Sequence, residues 1–306
     1  MPPENDVPVR KRDPRLYQIA MLASLLVYGV TRLHFEIGVI QAAVTLAAAL
    51  LAQFLFGRAT GVPRFDAKSA LISGLSLCLL LRADHWLWAA LAGAIAIGSK
   101  FAVRVRGKHL FNPTNIAIVA LLIATDRVWV SPGQWGNAAF FAFLMACLGG
   151  LVVNRAARSD VTYAFLIAFL AIHFAYAAYL GQPWATPLHR VQNGAFLLFT
   201  FFMISDPRTT PDSRAGRVMF AVMVAAGAAI VQFLLYRTNG LLWSLALFSI
   251  TTPLIDRLLP GPRYTWPGSL QPGSSKGGRS HETTVPEPRL ALARAGAGAA
   301  AAYFRP

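Results

Sequence analysis

The sequence predicts an all-α polytopic membrane protein, with about ten transmembrane helices arranged as two inverted five-helix repeats that contain short or broken helices. Three observations carry this. Of 306 residues, 56% are hydrophobic and 13% charged, with mean hydropathy +0.50, whereas soluble domains carry roughly 25% charged residues. The charges are bunched between long uncharged runs: Gly38–Gly57, Val128–Asn154, Val161–Leu188, Val218–Tyr236 and Thr238–Ile255. Finally, some apolar runs are too short to cross a bilayer and end in polar groups, above all His189–Pro211, HRVQNGAFLLFTFFMISDPRTTP. Hydrocarbon tolerates such ends only where protein buries them or a cavity receives them.

Residues 1–15 read as a charged cytoplasmic arm, 16–259 as the transmembrane domain with halves near 16–127 and 128–259, and 260–306 as a disordered cytoplasmic tail. No cleavable signal peptide is expected before the first span, because the N-terminus is polar and basic through Arg15. Spans one and two are placed at 16–33 and 36–57, followed by a turn at Gly61 and Pro63. Span three, 69–82, is short; span four covers 86–103 with Trp86 and Trp88 at its outer end. Asn112 suits the cap and Pro113 the first turn of a short fifth span ending near Thr125. Spans six to ten are placed at 136–154, 161–180, 191–205, 216–236 and 239–256. Trp129, Trp135, Trp184 and Trp243 fit an aromatic belt at the outward ends.

The net charge of +15 invites a nucleic-acid reading, which the positions of the charges exclude. One set of loops holds a single arginine each, Arg32, Arg82, Arg127, Arg190 and Arg237; every other basic residue falls in the alternate loops and termini. That asymmetry is the positive-inside rule and places both termini in the cytoplasm. Cys78 and Cys147 lie in apolar runs and read as core residues, not cluster ligands. No HExxH, paired carboxylate or nucleophile elbow supports hydrolysis, and no GxGxxG after a strand supports NADH binding.

Shorter spans at three, five and eight suggest the repeat. Ser73-Gly74 answers Asn193-Gly194, each followed by an apolar run stopping at an aspartate, Asp84 or Asp206. Pro113 with Thr114 and Asn115 loosely answers Thr251-Thr252-Pro253. An odd number of spans per half inverts the second copy, so these interruptions are expected to converge on one pocket between the halves.

At these motifs the chain resembles the integral-membrane subunit shared by the Rnf electron-transport complex and the sodium-pumping NADH:quinone reductase, the RnfD/NqrB family. The matching pieces are Leu16-Tyr17-Gln18-Ile19, Ser73-Gly74-Leu75, Leu110-Phe111-Asn112-Pro113, Ser131-Pro132-Gly133, Phe202-Met203-Ile204-Ser205-Asp206-Pro207 and Thr252-Pro253-Leu254-Ile255-Asp256-Arg257. The resemblance implies a flavin-holding, inverted-repeat subunit of a membrane electron-transfer chain coupled to cation movement, with other complex subunits, quinone and membrane lipid as partners. Typical members carry a Ser-Gly-Ala-Thr motif between the FNP span and the Pro-Gly turn, its threonine esterified to FMN. Thr125–Val130 lacks it, and Ala185-Thr186-Pro187-Leu188, between spans seven and eight, lacks the Ser-Gly. Riboflavin or FMN is therefore expected to bind non-covalently in a divergent or stand-alone relative, Thr186 being the sole candidate for covalent attachment.

The expected cofactor-binding residues are Ser73, Gly74, Lys100, Asn112, Thr114, Asn115, Asn193, Gly194, Asp206, Thr251 and Thr252; no catalytic or metal-ligating residue is expected. Several have a plainer reading. Asp206 and Asp256 read first as helix-end carboxylates, solvated or paired with a nearby arginine, Lys100 as a snorkelling interface lysine, and His173 as a neutral, hydrogen-bonded structural residue. His189 stands at the outer mouth of the organising stretch. A permease on the same fold and a cofactor-free structural subunit remain alternatives, because fold does not fix function.

Overall fold

The structure is a computed structural model that describes residues 13–62, 65–131, 135, 150 and 158–264. The expected sixth span at 136–154, Gly150 excepted, lies outside the described residues, as do Cys147, most of the N-terminal arm and the tail from 265.

Each of the other nine expected spans is helical. Helix α1, Pro14–Arg32, starts with proline in its first turn and Asp13 accepting the Arg15 backbone N–H, which satisfies a donor the helix leaves free. Helix α2 covers Val39–Ala59 and α3 covers Ala67–Leu80, capped by Asp66. Strand β1, Leu81–Ala83, follows, then α4, Trp86–Ala102. Strands β2, Arg104–Val105, and β3, Lys108–His109, form a hairpin. Helix α5, Pro113–Ala124, is capped by Asn112 and leads to β4, Val128–Val130. Helix α6 is Ser159–Tyr179 and α7 Ala185–Val191. Helix α8, Gly194–Leu198, widens into a π-helical turn over Phe199–Met203; α9, Arg214–Ala229, does the same over Ile230–Leu234. Helices α10, Gly240–Ser249, and α11, Thr252–Leu258, close the described chain, bent by 51° at Ile250-Thr251.

By length and composition α2, α6 and α9 with its π turn can each cross a membrane, and α10 with α11 makes a fourth, bent span. Helices α3 and α5 cannot do so alone. At about 1.5 Å per residue they reach about 21 and 18 Å, against a hydrocarbon core of about 30 Å. The extended chain after each adds about 10 Å. Those two extensions are β1 and β4, which pair antiparallel with Leu81 opposite Val130 and Ala83 opposite Val128. The pairing satisfies backbone groups that apolar surroundings would leave costly.

Helices α2 and α4 approach closely over small residues. A Cβ on Gly93 would stand 2.8 Å from the Thr45 carbonyl oxygen, and Ala49, Ala52, Ala89, Ala92 and Ala96 are buried alongside; small side chains let backbones of membrane helices pack.

Ion pairs tie the described loops together. At the basic end Arg15 pairs with Asp66, Lys68 with Asp13, Lys108 with Asp212 and Asp256, and Arg217 with Asp160. At the other end Arg127 pairs with Asp84 beside the β1–β4 ladder. Two expectations, the start of span eight and the place of Trp135, are corrected, and the basic connection before α5 takes a defined form. Span eight does not begin at 191: a separate short helix ends there, and the span starts at Gly194 behind the Asn193 cap. The basic stretch at 104–109 is a hairpin, its turn made by Arg106 and Gly107 at φ 52° and 78°, the left-handed pair that two-residue hairpins use. Trp135 is not an interface residue. It is 1% exposed and lies edge-on to Phe35 and against Gly194, where the missing side chain leaves room for the indole.

Candidate functional site

The site is organised by the π-helical turn at Phe199–Met203. The Ile204 N–H bonds to the Phe199 carbonyl five residues back, so the turn is wider than an α-helical one and its carbonyls are less fully committed. The Met203 carbonyl accepts the Asn112 side-chain amide from α5 at 3.2 Å. Asn115 on α5 does likewise: its side-chain amide donates to Leu242 O on α10 at 3.1 Å. Two asparagines thus tie α5 to the π-helical turn after α8 and to α10.

Met203 lines two cavities, one on each side of this turn. The first, the inner chamber, opens at the basic end and holds about 70 Å³. Its wall includes Ser73, Lys100, Asn112, Thr114 and Asp206. Lys100 does not snorkel: it is 5% exposed and donates to the Ser69 carbonyl and hydroxyl, both at 2.9 Å. Asp206 accepts the Arg208 N–H, and its own carbonyl accepts N–H groups from Thr209 and Thr210. Burial pushes the Asp206 carboxyl up, opposed by the Arg208 N–H and by the Lys100 and Arg208 charges.

His109 also lines this chamber. Its Nδ1 stands 3.0 Å from the Lys100 carbonyl, which can only accept, so Nδ1 carries the proton and Nε2 faces Arg208 Nη1 at 3.4 Å. Burial, with Arg208, Arg104 and Lys100 nearby, pushes His109 down to about 3. Its contribution to stability is therefore complete above the ordinary histidine value of 6.5 and lost as pH falls below it. At pH 5 the loss is at most about 2 kcal/mol. We expect wild-type protein to lose more melting temperature between pH 7 and pH 5 than His109→Asn; equal losses would contradict this.

The second, the outer cavity, holds about 770 Å³ at the opposite end. Phe169, Phe196 and Phe199 give it an aromatic wall, and Thr186, Arg190, Asn193, Gln232 and Arg237 give it polar groups. Asn193 accepts the Ala195 N–H and so starts α8. Two of the arginines from the sparsely charged loops, Arg190 and Arg237, therefore meet at one cavity, and no carboxylate is among its described lining residues.

The expected site residues do not form one pocket. Ser73, Lys100, Asn112, Thr114 and Asp206 meet at the inner chamber, whereas Asn193 and Thr186 line the outer cavity. Gly74 admits the Leu46 side chain, which a Cβ would meet at 2.9 Å, and Gly194 admits Trp135. Asn115 is wholly buried, its Oδ1 unpartnered. Thr251 bonds back to Phe248 O at the α10–α11 bend and Thr252 to Thr209 O. Asp256 pairs with Lys108 rather than a neighbouring arginine. The sequence reading missed Arg190, Gln232 and Arg237. The available signal was that arginines are rare in the outer loops.

A sequence model of the NQR2, RnfD, RnfE family matches residues 125–264, a stretch containing every described residue lining the outer cavity except Leu80. That match supports the resemblance over those residues. Among curated relatives, the D subunit of the ion-translocating oxidoreductase complex of Psychromonas ingrahamii is 30% identical over 127 residues, 40% of this chain and 34% of that protein. The proteins of the same description from Shewanella amazonensis and Halorhodospira halophila are 27% and 25% identical. They cover 56% and 70% of this chain and 51% and 80% of their own lengths. The chain thus spans about a third of the length of the first relatives it matches. The family match and the apolar helices together make this a multi-pass membrane protein.

Proposed function

We propose that this chain is an electron-transfer subunit that holds FMN non-covalently in the outer cavity and works with other subunits of an ion-translocating oxidoreductase complex. The observation that carries the proposal is the outer cavity itself. Its 770 Å³ falls within the roughly 300–1,000 Å³ typical of cofactor sites; the 70 Å³ of the inner chamber does not.

The residue types also fit. A flavin needs an apolar, aromatic slot with a few oriented polar groups. Phe169, Phe196 and Phe199 exclude water and offer ring faces. Arg190 and Arg237 offer charge to a phosphate, and the Asn193 and Gln232 amides offer donors and acceptors to a ring edge. When bound, the flavin supplies an electron carrier that the protein's own side chains lack. Thr186 and Arg190, one helical turn apart on α7, both line the cavity, so Thr186 stands beside the proposed phosphate site.

On this reading the chain has ten spans in two inverted halves, with its basic end and both termini in the cytoplasm of a bacterial-type inner membrane. Lipid surrounds the spans, and quinone or another subunit exchanges electrons with the flavin. The inner chamber, with Lys100 and Asp206, admits a small ion or water, which suits a role in ion movement. A permease remains the alternative, favoured by the bend in α10–α11 and the broken span eight.

FMN titrated into purified protein is expected to lose fluorescence saturably at one equivalent per chain. Absence of saturable binding, with solute uptake into liposomes containing the protein alone, would contradict the flavin reading and favour the permease.

A further inference from the structure

His173 lies in α6 and is 3% exposed. Its ring stacks on Phe169 with centroids 3.8 Å apart and stands 5.0 Å from the Phe233 ring. Nδ1 is 2.8 Å from the Phe169 carbonyl. A carbonyl only accepts, so Nδ1 carries a proton. Nε2 faces the side-chain amide of Gln232, 3.3 Å from the position given to Oε1.

Gln232 lies in the π-helical turn that ends α9, and it lines the outer cavity. The wide turn changes the register of its side chains, and Gln232 both meets the histidine and lines the cavity. A half-turn of the amide exchanges its oxygen and nitrogen, an exchange decided by hydrogen bonding. If His173 is neutral, Nε2 is an acceptor; the amide –NH2 must face it, leaving the carbonyl oxygen to the cavity. If His173 is doubly protonated, the oxygen faces the ring and the –NH2 is left to the cavity.

The surroundings decide between these. The Arg190 guanidinium lies 5.5 Å from the Phe233 centroid, and Tyr176 stacks on Phe233 at 3.9 Å. His189, Tyr236 and Arg237 also line the cavity, and no carboxylate is among its described lining residues. A buried imidazolium without a counter-charge is costly.

We propose that neutral His173 is a positioning residue that turns the Gln232 carbonyl oxygen toward the outer cavity, where it accepts a hydrogen bond from a ring N–H of the bound ligand. The ligand class is a planar heteroaromatic with an imide N–H, and for the flavin reading, on which this inference rests, that is the pyrimidine edge.

The test uses riboflavin and its N3-methyl derivative, titrated into full-length protein freed of flavin. Wild-type protein is expected to prefer riboflavin by about tenfold, the worth of one buried hydrogen bond. Gln232→Met and His173→Phe should each abolish that preference, and the double variant should lose no more than either alone, since the histidine acts through the glutamine. Gln232→Glu, which keeps an acceptor oxygen, serves as a second, conservative variant and should retain the preference even if Gln232→Met fails to fold. Loss of packing alone would weaken both ligands equally and leave the ratio unchanged. A wild-type protein that binds both equally, or a preference that survives in His173→Phe or Gln232→Met, overturns the proposal. A wild-type protein that binds neither sinks the flavin reading instead.

Discussion

Arg190→Glu is expected to weaken FMN about a hundredfold while changing riboflavin less than about threefold. The two ligands share the ring system and differ in the phosphate, so the comparison isolates the charged end of the cavity. A charge-assisted hydrogen bond contributes roughly 1.5–3 kcal/mol, and reversing the charge adds repulsion; together these amount to about two factors of ten. Arg190 also lies over the Phe233 ring, so a smaller loss common to both ligands is expected from packing. Arg237→Glu, at the exposed rim of the same cavity, should weaken FMN in the same direction but less, because solvent screens it. Parallel losses of FMN and riboflavin, measured by fluorescence titration, would place the phosphate elsewhere.

Lys108→Met should be the most destabilising substitution at the basic end, costing about 3 kcal/mol or more. Lys108 Nζ lies 2.9 Å from Asp212 Oδ1 and 2.8 Å from Asp256 Oδ2, while Asp256 Oδ1 accepts the Asp212 N–H at 2.7 Å. All three side chains are at most 15% exposed. The lysine, on the β2–β3 hairpin, therefore clips the stretch before α9 to α11. Its removal leaves two carboxylates side by side without the ammonium that bonds both, which costs far more than a surface pair contributes. Thermal unfolding in detergent measures the loss. Adding Asp212→Asn to Lys108→Met should recover part of it by removing one of the two charges; a double variant less stable than Lys108→Met would contradict this account.

Much of the fold could be read from local chemistry. Pro113 behind Asn112 marks a helix start that the structure keeps, because a first-turn proline lacks only a donor the helix does not use. Arg190 and Arg237 stand apart because the loops around them hold almost no other basic residue. The short strands β1 and β4 were not legible: three residues give no periodicity, and their pairing joins segments far apart in the chain. Nor was the hairpin at Arg106-Gly107, since arginine is an uncommon choice at positive φ.

The site was legible as a set of polar residues but not as a place. Asn112 and Asn115 stand out in an apolar chain, yet their side-chain amides bond to backbone carbonyls of Met203 and Leu242. Gly74 and Gly194 mark close approaches of Leu46 and Trp135 rather than a ligand. Gln232 gave no signal, because its position at the cavity follows from a widened helical turn, and helix periodicity would assign it by the ordinary 3.6-residue repeat.

The most direct measurement is the visible absorption spectrum of the purified protein, recorded before and after acid precipitation. The account predicts a flavin spectrum at one equivalent per chain, with the colour released into the supernatant as FMN. Colour that stays in the pellet would contradict non-covalent binding and make Thr186 the residue to replace. A folded but colourless protein that takes up no added FMN would contradict the central claim.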